Sequence, residues 1–204
     1  MRKKLMIACM AITAFTAFVI APAASASPVL TESGSGLAVG SSVTAKNVGV
    51  THFTGGWGLG CSKVHLQGTV TQNSGTTVKE EIPAGSATFT NAEGGPCESA
   101  LGLVTVKVTS KMCMETRPGD QLFVTGCGAP VTFDLTVPGF SSCKYEATSF
   151  QGTFSTGVTP APVTVFQQIA VEEFPGSFFC PDEGAIDLTL AFYTTGGTTG
   201  ITLS

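Results

Sequence analysis

Apolar and polar residues alternate through most of this chain, and that alternation limits its fold more than any other feature. In KVHLQGTVT, Val64, Leu66 and Val70 fall on one face of an extended chain and the polar residues on the other. A period of two predicts a β-strand with one buried face and one wet face. The same pattern recurs in three further segments: LVTVKVT (103–109), PVTFDLTV (130–137) and AIDLTLAFYT (185–194).

Turn signals separate these segments at strand-length intervals. They are NSGT, PAGS, EGGP, RPGD, VPGF, FPGS and PDEG, and glycine and proline supply the backbone angles that chain reversals need. Many short strands joined by such turns predict an all-β fold, an antiparallel β-sandwich, with a β-barrel as the alternative. We expect the lead-in (27–36) and the tail (194–204) to be loosely held, although GITLS at the end could add an edge strand.

The N-terminus has the layout of a secretory signal peptide. Three basic residues at 2–4 precede an apolar run at 5–20, and small residues then end in Ala24-Ser25-Ala26. This order predicts cleavage after Ala26, with an uncleaved anchor as the alternative. The signal peptide would then be residues 1–26, and residues 27–204 would form a single β domain. That domain is expected to be secreted, either outside the cell or in its envelope.

Charge excludes some classes of partner. The full chain of 204 residues has 10 Lys and Arg against 14 Asp and Glu. Cleavage after Ala26 removes three basic residues and no acidic one, which leaves 7 against 14 and a formal charge of −7. Such a chain lacks the basic surface of a nucleic-acid-binding protein, and no second apolar run approaches membrane length. We expect the mature chain to bind neither nucleic acid nor a membrane.

Six cysteines remain after cleavage, and an even number in an exported chain predicts disulfide bonds. A structural zinc site would need close cysteine pairs with histidines nearby, and here at least 13 residues separate successive cysteines. We therefore predict three disulfides and neither a metal site nor a cofactor. The cysteines are Cys61, Cys97, Cys113, Cys127, Cys143 and Cys180.

Two parts of the chain echo each other. CSKVHLQGTV begins at Cys61 and CKYEATSFQGTF at Cys143, and a further cysteine follows each of them after 36 or 37 positions. An internal duplication with repeat units 61–109 and 143–194 would account for the match. Equivalent cysteines should then pair equivalently. This predicts three bridges: Cys61–Cys97, Cys143–Cys180 and Cys113–Cys127.

The sequence contains no recognisable catalytic motif. A secreted hydrolase could use His52 or His65 as a general base if a Ser and an Asp met it in space. The chain has no Gly-x-Ser-x-Gly motif and, with its cysteines paired, no free thiol. The adjacent carboxylates Glu80-Glu81, Glu172-Glu173 and Asp182-Glu183 should point to opposite faces of a strand. We therefore predict that the protein is not an enzyme.

Two residues in turns or loops carry the binding hypotheses. Trp57, the only tryptophan, lies in the glycine-rich segment GGWGLGC and could stack on a sugar or an apolar ligand. Arg117 lies in METRPGDQ between Cys113 and Cys127, where a protease inhibitor would present a rigid loop. We predict a secreted, non-catalytic protein that binds an extracellular glycan or protein or has a structural role. A hydrolase and a small protease inhibitor are the alternatives.

A set of short segments between residues 37 and 194 carries a family resemblance. The segments are NVG, CSKVHLQGTVTQNSGT, GDQLFVTGC, CKYE, GTF, FFCP and IDLTLAF. In this pattern the chain resembles secreted β-rich proteins of actinobacterial type, a family without an established function. The resemblance implies an exported domain and supplies no active site, substrate or cofactor.

Overall fold

The computed structural model describes residues 29–54, 58–74, 77–160, 162–171, 180–181, 183–194 and 198–203. The predicted signal peptide and Trp57 lie outside these residues. The described residues form eighteen β-strands and contain no helix. The all-β prediction is therefore confirmed.

The strands follow one another closely along the chain. In order they are β1 (Leu30–Glu32), β2 (Ser35–Gly36), β3 (Ser42–Asn47), β4 (Thr51–Thr54), β5 (Leu59–Cys61), β6 (Lys63–Ser74), β7 (Thr77–Ile82), β8 (Thr88–Thr90), β9 (Cys97–Ser99), β10 (Gly102–Val108), β11 (Met112–Arg117), β12 (Gln121–Thr125), β13 (Val131–Val137), β14 (Ser141–Ala147), β15 (Phe150–Phe154), β16 (Pro162–Val171), β17 (Glu183–Thr194) and β18 (Ile201–Leu203).

Fifteen of these strands form one large antiparallel sheet. Their order is β13-β14-β16-β15-β12-β11-β7-β6-β3-β17-β4-β5-β9-β10-β8, and three further pairings join β13 to β10, β16 to β17 and β6 to β8. The other three strands form a small sheet in the order β18-β1-β2, which we call the terminal sheet. The antiparallel arrangement is confirmed, and the choice between a sandwich and a barrel stays a prediction.

Burial follows the alternation of the sequence. On β10, Val104, Val106 and Val108 are buried, while Leu103 is half exposed at 51%. Alternate residues are likewise buried along β6, β13 and β17. Since side chains of successive strand residues point to opposite faces, the apolar residues of the large sheet meet in one core.

The three predicted disulfide bridges are confirmed. Cys61 bonds to Cys97, Cys113 to Cys127, and Cys143 to Cys180. Cys61 and Cys97 are both fully buried, and their Cα atoms are 4.8 Å apart.

The internal duplication stays a prediction. In the first proposed unit the Gln-Gly-Thr tripeptide lies on β6, which pairs with β3, β7 and β8. In the second unit it lies on β15, which pairs with β12 and β16. The bridges have matching spacing in the two units, whereas the neighbours of the echoed strands differ.

The two ends of the domain are held more firmly than the sequence indicates. Leu30, Ile201 and Leu203 are each at most 2% exposed, and β1 pairs in register with β18. The expectation of loosely held ends was therefore wrong for these residues, although the added strand at the C-terminus is confirmed. Thr31 and Thr202, which are hydrogen-bonded, are 171 positions apart in the sequence. The local sequence at one end of the domain therefore could not show that the other end pairs with it.

Gly126 ends the β11–β12 hairpin where backbone atoms approach closely. A Cβ at this position would lie 2.4 Å from the carbonyl oxygens of both Ala129 and Pro130. We expect Gly126→Ala to lower the free energy of unfolding by about 2–3 kcal/mol, because the backbone must move to admit the methyl group. The control is Gly36→Ala, whose Cβ would meet its nearest neighbour at 3.7 Å. Equal unfolding midpoints for the two variants in urea would contradict this prediction.

Candidate functional site

The core contains a cavity too small for a small-molecule ligand. Its volume is about 50 Å³, whereas a cavity that binds benzene measures about 150 Å³. The described residues that line it are all apolar: Leu66, Ile82, Phe89, Val108, Met112, Met114, Leu122, Val124, Phe133, Phe150, Ile186, Leu188 and Leu190. A cavity of this size and lining belongs to the packed core, so a ligand site is expected on the surface.

One carboxyl group is an exception within this apolar interior. On β7, Glu80 faces inward between Val78 and Ile82, and it is 6% exposed. Desolvation by burial raises the pKa of Glu80 from 4.5 to about 7. Its neighbour Glu81 faces outward and forms an ion pair with Lys111 at 2.5 Å.

The predicted divergence of adjacent carboxylates is confirmed for Glu80 and Glu81. The sequence prediction missed that Glu80 is the buried member of the pair. The signal was present, because Glu80 has the same strand parity as Val78 and Ile82. The other two pairs, Glu172-Glu173 and Asp182-Glu183, include residues outside the described ranges.

His52 belongs to a line of residues that crosses five strands. Asp187 on β17 is opposite His52 on β4, and His52 is opposite Gly60 on β5. Gly60 pairs in turn with Glu98 on β9, and Glu98 with Leu103 on β10. Directly opposed residues of antiparallel strands share one face of the sheet. We call this row of five residues the β4–β5 face.

The β4–β5 face carries exposed side chains on either side of a glycine. Asp187, His52, Glu98 and Leu103 are exposed. Gly60, which has no side chain, is half-buried between His52 and Glu98. A Cβ on Gly60 would meet only the exposed Val50 within contact distance, at 3.7 Å. The face thus combines two carboxylates, an imidazole and apolar atoms around Gly60.

The Cys61–Cys97 bridge lies directly beneath this face. Cys61 follows Gly60 on β5, and Cys97 precedes Glu98 on β9. Among the described residues, the pairing between these two strands consists of Gly60 with Glu98. The disulfide therefore supplies a covalent link where the backbone ladder is short.

Trp57 lies outside the described residues, so its role as a ligand contact stays a prediction. In the sequence it falls between β4 and β5, the strands that carry His52 and Gly60. The sequence analysis treated His52 and Trp57 separately, although only four residues separate them along the chain.

Thr51 carries the one buried side-chain polar atom without a hydrogen-bond partner in the described part of the chain. It is fully buried on β4, opposite Cys61. We expect Thr51→Val to raise the free energy of unfolding by about 1–2 kcal/mol, because the isosteric change removes an unsatisfied hydroxyl group. Thr51→Ser, which keeps the hydroxyl and loses the methyl group, should be destabilising. A Thr51→Val protein that melts below the wild type would contradict the expectation.

His65 lies apart from the β4–β5 face. It is half-buried on β6, between Lys46 of β3 and Thr88 of β8. Within the part of the chain that the structure describes, neither His52 nor His65 makes a side-chain hydrogen bond or an ion pair. The structure therefore brings neither histidine into hydrogen bonding with a Ser or an Asp.

Arg117 lies at the end of a tight hairpin. It is opposite Gln121, and the turn between them contains Gly119 and Asp120 with positive φ angles. The Arg117 guanidinium lies 3.8 Å from the ring centre of Phe123. An inhibitor would need to extend this side chain into a protease pocket, whereas here the side chain stacks back along its own hairpin.

The described residues contain no group of three or more His, Cys, Asp or Glu side chains that could hold a metal ion. Within the same ranges, no helix is long and apolar enough to cross a membrane. Comparisons of the chain with protein-family models, with curated proteins and with solved structures find no match. The resemblance to secreted actinobacterial-type proteins therefore stays a prediction.

Proposed function

We propose that this chain is an exported, non-catalytic domain that binds a glycan on the β4–β5 face. The observation that carries the proposal is the cross-strand row of Asp187, His52, Gly60, Glu98 and Leu103. Carboxylates accept hydrogen bonds from sugar hydroxyl groups, and an imidazole can both donate and accept. Gly60 has no side chain that would keep a sugar ring from the backbone, and Leu103 offers an apolar contact. The small size of the interior cavity supports a surface site.

Export is supported by two independent features. Three intramolecular disulfides are consistent with an extracellular location. The basic, apolar and small-residue segments of the N-terminus have the order of a signal peptide. Protein recovered from the culture medium should therefore begin at Ser27, and N-terminal sequencing measures this directly.

A glycan array followed by titration calorimetry tests the binding proposal. His52→Ala and Glu98→Gln should each lower the affinity for the glycan found on the array by about tenfold or more. Gly60→Ala should also weaken binding, because the added methyl group would lie on the face between His52 and Glu98, with Val50 at 3.7 Å as its nearest neighbour. The matched control is His65→Ala, which changes the other histidine and should leave affinity unchanged. Absence of any glycan ligand, or equal losses for His52→Ala and His65→Ala, would rule out this site.

A hydrolase is the second candidate, and one observation favours it. His52 lies directly opposite Asp187, an imidazole–carboxylate pair that could orient a general base. Turnover of ester or glycoside substrates that His52→Ala abolishes would support the hydrolase. The binding proposal requires that such turnover be absent while the glycan still binds.

A further inference from the structure

We propose that Glu80 controls whether the terminal sheet stays docked on the large sheet. With the carboxyl group neutral, the terminal sheet covers it. With the carboxyl group ionised, the terminal sheet releases and gives the charge access to water. This device is separate from the proposed glycan site, and the two can fail independently.

Glu80 lies directly under the terminal sheet. It shares a cavity of about 10 Å³ with Leu30 of β1, a space near the minimum for one water molecule. Thr116 is the other polar residue in the lining, and its hydroxyl oxygen accepts a hydrogen bond from the Val78 backbone N–H at 2.8 Å. The remaining lining residues are Val78, Met114, Leu122, Phe154 and Phe192.

The terminal sheet is attached by few polar contacts. Asn73 on β6 accepts a hydrogen bond from the Leu30 backbone N–H and donates to the Leu30 carbonyl, both at 2.9 Å. The Gly157 N–H donates to the Leu203 carbonyl at 3.1 Å. Thr194 of β17 donates a hydrogen bond to Glu32 at 3.1 Å, and the hydroxyl groups of Thr159 and Thr202 are hydrogen-bonded. Among the described residues, no strand of the terminal sheet pairs with a strand of the large sheet, and an isolated bridge joins Tyr193 to Gly200, just before β18. The sheet can therefore undock without breaking a strand ladder of the large sheet.

No charge compensates an ionised Glu80 where it lies. Among the described side chains that line the cavity, Glu80 is the single titratable one. Charged residues on four of the surrounding strands do not face the cavity. Glu32 on β1 accepts a hydrogen bond from Thr194, and Asp187 on β17 is exposed. The side chains on the opposite face of their strands are those of Lys79 and Glu81 on β7 and of Glu115 and Arg117 on β11.

An ionised carboxylate in such surroundings is costly, and undocking would lower that cost by exposing it to water. Leu30 is the wall residue that belongs to the terminal sheet, so its removal opens the cavity. Burial raises the pKa of Glu80 to about 7, so the effect of pH on undocking should level off near neutral pH.

Amide hydrogen exchange across the pH range tests this proposal. Exchange of the backbone amides of β1 and β18 is measured and corrected for the intrinsic pH dependence. The opening constant should rise about tenfold per pH unit from pH 5 to pH 7 and then level off, because only the undocked state ionises Glu80 at lower pH. In Glu80→Gln the constant should be independent of pH. Glu80→Met provides the same comparison if the Gln variant does not fold.

Three controls make the result specific. Glu81→Gln and Glu32→Gln should keep the pH dependence, since neither carboxylate lines the cavity. The amides of Val106 and Leu135, paired on β10 and β13, should stay protected while the terminal sheet exchanges. The proposal is overturned by a flat profile in the wild type, by a slope that survives in Glu80→Gln or Glu80→Met, or by simultaneous exchange of both regions.

Discussion

The double variant Cys61→Ala, Cys97→Ala is expected to lose about 4 kcal/mol of unfolding free energy, as chain entropy predicts for a closed loop of this length. The bridge spans 36 positions, and both residues are fully buried. Because it also joins β5 to β9 beneath the β4–β5 face, glycan affinity should fall in the same variant. Urea unfolding and calorimetry on the unreduced protein measure the two effects.

The Cys113→Ala, Cys127→Ala variant is the matched control for this prediction. That bridge spans 14 positions, and it stabilises the β11–β12 hairpin, away from the face. We expect a loss of about 3 kcal/mol and no change in glycan affinity. If both double variants lost affinity equally, the link between the first bridge and the face would be wrong.

Glu80→Gln is expected to abolish most of the pH dependence of stability between about pH 4.5 and pH 7. The folded protein holds this proton with a pKa of about 7, compared with 4.5 for an ordinary carboxyl group. The unfolded chain therefore releases its proton first as pH rises, and the wild type loses stability through this window. At about 1.4 kcal/mol per pH unit, the loss comes to roughly 3–4 kcal/mol above pH 7 and is absent below pH 4.5.

The sign of this effect separates Glu80 from other carboxylates. A carboxylate that the fold stabilises in its ionised form loses that contribution on acidification. Glu81 serves as the control because it is the outward-facing neighbour of Glu80 on the same strand. Glu80 acts in the opposite direction and destabilises the fold as the pH rises. Thermal melts of wild type, Glu80→Gln and Glu81→Gln across pH should show convergence of the wild type and Glu80→Gln at acidic pH. A constant offset between them at all pH values would contradict the assignment.

The sequence predicted those features that depend on neighbouring residues. Period-two runs such as the one at 130–137 became strands with the expected buried faces, because strand parity is a local property. Turn residues at RPGD predicted the β11–β12 hairpin for the same reason. The disulfide pairing was predicted from the echo between two segments, on the hypothesis that equivalent cysteines pair equivalently, and the three bridges are confirmed.

Features that depend on register between distant strands could not be predicted. The β4–β5 face exists because β17 lies beside β4 and β9 beside β5, and neither adjacency can be read from one segment. The pairing of β1 with β18 likewise joins the two ends of the domain. The position of Glu80 could be predicted only in part. Its strand parity placed it on a buried face, but residues of five other strands line the cavity around it.

The central claim is that the ligand binds on the β4–β5 face, outside the core. Backbone and methyl chemical shifts, followed by nuclear magnetic resonance during titration with the glycan from the array, test it most directly. We predict shift changes at the amides of His52, Gly60, Glu98, Leu103 and Asp187, with the methyl groups of Met112 and Met114 in the core unchanged. Changes confined to those methionines, or to residues around Glu80, would contradict the claim.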